Sequence, residues 1–168
     1  SALRAADMGL RSKLYDLYED ILMDGTVTDA IGKRIEAITD CDINFTVNGK
    51  EVPRITELID TVEFENQLKE IMWSLFWGIS VDEYSFVNGF DFNSIPRKHI
   101  RPKEKLILRR QYDTDGISYS DDGMIIQWGE DDDLGLLLKV APYVIYKRGG
   151  FGDWAQFVEL FGMPQRIG

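Results

Sequence analysis

The apolar residues of this chain change their period at Gly78, and that change limits the folds open to it. Before Gly78 they recur at helical spacing, from residue 79 to 128 they alternate, and from about Leu134 helical spacing returns. A chain that keeps its helices and strands apart in this way packs as α+β. A doubly wound parallel sheet needs the two to alternate throughout. Its 168 residues are enough for a core, so one α+β domain over residues 1–168 is the expected architecture.

Local signals divide the chain further. Leu14, Leu17, Tyr18, Ile21 and Leu22 make one helical stripe, ended by Asp24-Gly25. Thr26 or Thr28 then caps a second helix that buries Ala30, Ile31, Ile35 and Ile38. Ile43, Phe45 and Val47 alternate as a strand before an Asn48-Gly49 turn. Residues 54–78 return to helix, with Phe64, Leu68, Ile71, Met72 and Leu75 on one face and Gly78 as its stop. Trp73, Phe76 and Trp77 widen that face into core packing. A hairpin about Asn88-Gly89 follows, and then three short strands with turns at Asp115-Gly116 and Asp122-Gly123. The acids of "EDDD" (130–133) suit the start of a helix that runs from about Leu134 to Tyr146. Pro142 kinks or breaks it, and Lys147-Arg148-Gly149-Gly150 ends it.

Charge and cysteine content exclude several function classes. The net charge of −10 repels a phosphate backbone and argues against a sequence-reading nucleic-acid binder. Cys41 is the only cysteine, so no internal disulfide or multi-cysteine metal site exists, and it reads as a small buried apolar group in a reducing compartment. No stretch approaches the ~18 apolar residues of a membrane span, and no signal-peptide layout opens the chain. The chain starts at Ser1 without a methionine and stops beside a motif, as a piece of a longer polypeptide would.

Few of the remaining clusters have the spacing of a chemical site. His99 is the only histidine and reads as a solvated surface residue, with no second histidine for zinc or for a relayed nucleophile. Around it lies one basic stretch: Arg97, Lys98, Arg101, Lys103, Lys105, Arg109 and Arg110. It reads either as a solvated strand pair neutralised by nearby acids or as a contact for an acidic partner, with Arg109 and Arg110 on opposite strand faces. Asp113 and Asp115 begin a calcium-loop spacing that then fails, and turn chemistry accounts for Asp121 and Asp122. The glycines at 149–152 lack the lysine and hydroxyl of a phosphate loop. No catalytic signature, cofactor site or metal site emerges.

The closing stretch is the most specific. Asp153 can cap a short helix in which Trp154, Phe157, Val158 and Phe161 share one face, and Gly162 and Pro164 stop it. "YKRGGFGDWAQFVELFGMPQRIG" resembles the signature segment of the Mu-type phage portal proteins, with Lys147, Asp153, Trp154, Phe157, Glu159, Gly162, Pro164, Arg166 and Gly168 at matching positions. The family's leading helices are similar to "LYEDILMDGTVTDAIGKRIEAI", with Asp24 and Arg34 in place. "WGISVDEYSF" is similar to its step into a strand, at Gly78, Ser80 and Glu83.

The resemblance implies a structural, non-enzymatic subunit of the ring at one capsid vertex, through which DNA is packaged and ejected. This chain would be the wing region, with stem and clip regions expected beyond residue 168. Implied partners are other copies of itself, terminase, capsid or scaffold proteins, tail connectors and double-stranded DNA held non-specifically, with no membrane. The implied location is the virion, and the host cytoplasm during assembly. On this reading Trp154, Phe157 and Phe161 are buried, and Arg166 anchors the exit turn on backbone carbonyls or on Glu159. The alternative is a nucleic-acid-binding module that uses region 97–110. A third reading is a hydrolase with metal at Asp113, Asp115 or Asp131–Asp133.

Overall fold

The computed structural model of the protein describes residues 2–87 and 89–161, the side chains at 2, 7 and 157–161 excepted. Helix α1 (Ala2–Asp7) leads into α2 (Ser12–Ile21), whose Leu14, Tyr15, Tyr18 and Ile21 are fully buried along one face. Helix α3 (Gly25–Thr39) opens at Asp24, whose carboxylate accepts from the N–H of Thr26 at 3.0 Å and of Val27 at 3.3 Å. Aspartate, not threonine, is therefore the cap, because Thr26 and Thr28 already lie inside the first turn. Ile31 and Ile35 are buried as expected. Ala30 and Ile38 are exposed instead.

Strands β1 (Thr46–Val47) and β2 (Lys50–Glu51) form a hairpin about Asn48 and Gly49, both at positive φ. The strand expected from residue 43 shrinks to two residues. Ile43, Phe45 and Val47 are each at least a third exposed, so no buried face extends the pairing. Helix α4 (Pro53–Ile59) follows. Helix α5 (Val62–Trp77) then starts at Thr61, whose hydroxyl accepts from Phe64 N–H. Phe76 is buried and Trp73 and Trp77 pack beside it. The Tyr15 and Tyr18 rings meet the Trp77 indole edge-on at 5.5 and 5.7 Å, so these aromatics are core, as their spacing indicated.

Gly78 ends α5 at φ 92°, and a Cβ there would lie 2.3 Å from Asp133 O. Gly135, at φ 79°, is as tight against Phe76 O. The two connections are thus pressed together, and only glycine fits at either point. Beyond Gly78, β3 (Ser80–Ser85) pairs antiparallel with β4 (Asp91–Ser94) on one side and β8 (Ile125–Trp128) on the other. The second sheet orders β5 (Ile100–Arg101), β6 (Leu106–Leu108) and β7 (Gly116–Ser118), all antiparallel. Ile79, Val81, Ile100 and Tyr119 form a small core with these strands, separate from the helical core.

Helix α6 (Leu136–Phe161) is a single element of 26 residues. It passes through Pro142 without breaking and through Gly149 and Gly150 without stopping, so Asp153 is an interior residue and not a cap. Neither Gly149 nor Gly150 has the positive φ of a helix stop. Leu137, Ala141 and Val144 anchor its first half in the helical core.

Candidate functional site

The cations of region 97–110 come together in space, but mostly on the protein's own carboxylates and carbonyls. Arg97 donates Nε to Ile79 O at 3.0 Å and Nη2 to Ser80 Oγ and Glu70 Oε1, and its guanidinium lies 5.3 Å from the centre of the Trp77 ring. Lys98 bridges Asp16 and Glu19 at 2.7 and 2.8 Å, and these two acceptors raise its pKa. Arg101 donates to Asp113 O at 2.8 Å, Lys103 pairs with Asp132 and Lys105 with Asp131. Arg109 and Arg110 lie beyond the end of β6 and are both exposed, so strand alternation does not separate them. His99 is half-buried with Nδ1 2.9 Å from Leu108 O, so it is not a freely solvated side chain.

The acidic stretch 130–133 has a different job from the one its composition indicated. It precedes α6 as a turn and leaves no acid in the helix's first turn. Asp131 accepts from Lys105 at 2.5 Å and Gln127 at 2.8 Å. Burial pushes its carboxyl up, but those donors outweigh burial and hold it below the usual range. Asp133 accepts from Gly135 N–H at 2.8 Å, which closes the turn into α6. Asp113 accepts from Arg110 N–H. Among the described residues, no group of three or more His, Cys, Asp or Glu side chains is placed to hold a metal ion. Cys41 is exposed, with Sγ 3.2 Å from Ala37 O, rather than buried.

Two features had weak sequence signals. Asp20 and Asp24, at the α2–α3 corner, receive α6: Lys147 Nζ reaches Asp24 at 2.8 Å and Arg148 Nη1 reaches Asp20 at 2.7 Å. Asp24 therefore caps α3 and holds α6 together, and the Lys147 bond is the main cause of its lowered pKa. The second feature is a cavity of about 360 Å³ between α5 and the β3–β8 face, lined by Phe64, Gln67, Phe90, Met124, Ile126 and Trp128. Beneath it Asp82 is fully buried and accepts from Gln67 Nε2 at 3.0 Å and Ser94 Oγ at 2.6 Å. The alternation of Ser80, Asp82 and Tyr84 onto one face of a strand was the available signal.

Residues 15–168 match the family model described as the portal protein of Mu bacteriophage. The chain belongs to that family. No curated protein and no solved structure is significantly similar to it. The portal family is structural rather than catalytic and belongs to the virion. No described helix is long and apolar enough to cross a membrane.

The portal signature segment lies on the second half of α6. Lys147 makes the corner contact described above. Asp153 and Trp154 are exposed, Trp154 at 64%, which corrects the expectation that its ring is buried. Among the described side chains the packed face of α6 reaches no further than Val144, and residues 145–156 are all exposed. The side chains of Phe157, Glu159 and Phe161, and Gly162, Pro164, Arg166 and Gly168, lie outside the described residues, as does the proposed Arg166 anchor.

Proposed function

We propose that this chain is the wing region of a portal subunit, one domain of a longer protein whose stem and clip follow it. Copies of the full-length protein form the ring at a capsid vertex, through which double-stranded DNA is packaged by a terminase and later ejected. Scaffold or capsid proteins and tail connectors bind the ring, and assembly takes place in the host cytoplasm. The family match over residues 15–168 carries this reading.

Two physical features support it. A net charge of −10 suits a conduit that lets a polyanion slide rather than grip it. The exposed aromatic half of α6 suits a subunit that is buried further on assembly. The test is to purify the full-length protein and examine it by light scattering and electron microscopy. Closed rings are expected, and a monomer with no rings at micromolar concentration would overturn the reading.

A further inference from the structure

Two apolar surfaces lack a partner among the described residues. The first lies along α6. Tyr143, Tyr146, Gly150 and Trp154 follow at three- and four-residue steps along α6 and share a face. That face points away from Leu137, Ala141 and Val144, which enter the core. Tyr143 is 77% exposed, Tyr146 87% and Trp154 64%, with Phe151 62% exposed at the edge of the stripe. At ~200 Å² for each aromatic side chain, the four present roughly 600 Å². That is about three-quarters of the ~800 Å² each partner gives to a stable interface, and it sits at the upper end of patches on free monomers.

The second surface is concave: the cavity over Gln67, with Phe86 on its rim 63% exposed. Gln67 is itself only 3% exposed. Its Nε2 is satisfied by Asp82, but its Oε1 has no hydrogen-bond partner among the described residues. Tyr84 lies near enough for Gln67 to influence its titration, yet no hydrogen bond of normal geometry joins Oε1 to it. A buried amide oxygen without a donor is unfavourable. The lining is mostly aromatic and apolar, with Phe64, Phe90, Met124 and Trp128, so the occupant that suits this cavity is a flat apolar ring such as indole.

We infer that Trp154 of one copy inserts into the Gln67 cavity of a neighbouring copy, with the α6 stripe laid across the rim. This rests on the portal reading, because a closed ring needs two different surfaces on each subunit that meet head to tail. The stripe and the cavity are two such surfaces on separate elements of one chain. Tryptophan seated in an aromatic pocket is also the usual form of an interface hot spot.

The test uses full-length protein with a benzophenone amino acid at position 151, assembled from mixed ¹⁵N-labelled and unlabelled subunits. Cross-links between differently labelled copies should map to residues 64–71, 84–92 or 123–128. Trp154→Ala and Phe86→Asp should each lower the ring fraction about tenfold or more at fixed concentration. Both positions are exposed, so the melting temperature of the unassembled subunit should not change. Rings whose cross-links fall elsewhere or within one copy, or rings indifferent to Trp154→Ala, overturn the docking and leave the portal reading standing. A wild-type protein that forms no ring overturns both.

Discussion

Asp131 shows how this acidic chain uses its few cations. It accepts from Lys105 and Gln127, and the backbone carbonyl of the same residue accepts from Arg11 at 2.5 Å, a guanidinium that is 2% exposed. One residue thus ties the turn before α6 to the turn before β6, to β8 and to the start of α2. Its carboxyl titrates below the ordinary range, so the folded state binds its proton less readily than the unfolded chain does. The stability this contributes is present above the unfolded value of about 3.9 and disappears as pH falls through the folded value. Lys98 behaves in the opposite sense: its pKa is raised, so its contribution is present at neutral pH and disappears only as pH climbs past about 10.4. Asp131→Asn should therefore melt below the wild type at pH 7, and the gap should narrow as the pH falls below about 3.9. Melting curves recorded from pH 7 down through that range check this. A gap that stays constant with pH would show that the charge of Asp131 does not matter.

At the scale of elements, α6 is where local rules and tertiary structure part. Lys147-Arg148 followed by Gly149-Gly150 has the composition of a helix end, and Asp153 that of a helix start. A glycine stop works by turning the chain back at positive φ onto something it can pack against. Here both glycines keep negative φ, and a Cβ on either would meet nothing within 4 Å. The ion pairs to Asp20 and Asp24 fix the helix just before the glycines, and those partners lie more than 120 residues earlier in the chain. By contrast, the α2 stripe and the antiparallel pairing of β3 with β4 depend on residues close in sequence and were legible from it. So was the family, from the signature segment, whereas the Gln67 cavity, the long-range ion pairs and the exposure of Trp154 depend on how distant elements meet. Gly149, Gly150 and Gly152 should still weaken the helix locally, by ~1 kcal/mol each relative to alanine. Gly150→Ala should then slow amide exchange across residues 147–156 roughly fivefold while leaving the global melting temperature unchanged. Exchange that is unaltered would mean this stretch opens for another reason.

For the molecule as a whole, the question is what a net charge of −10 leaves free for a polyanion. The basic stretch offered the one route to nucleic-acid binding, but its inner cations brace the fold. Arg97 joins α5 to β3 through Glu70, Ser80 and Ile79, and Lys98 joins the turn before β5 to α2. Releasing those charges to phosphates would break contacts within the protein, so binding would have to overcome folding energy as well as net repulsion. The protein should therefore fail to retard duplex DNA at about 150 mM salt. Arg97→Gln should reveal itself as a loss of about 2–4 kcal/mol in urea unfolding, allowing for the one-fifth exposure of both partners. Steep, salt-dependent retardation that Arg97→Gln abolishes without destabilising the fold would instead make region 97–110 a nucleic-acid surface. The exposed Arg109 and Arg110 are the control, because they can be changed together without touching those braces.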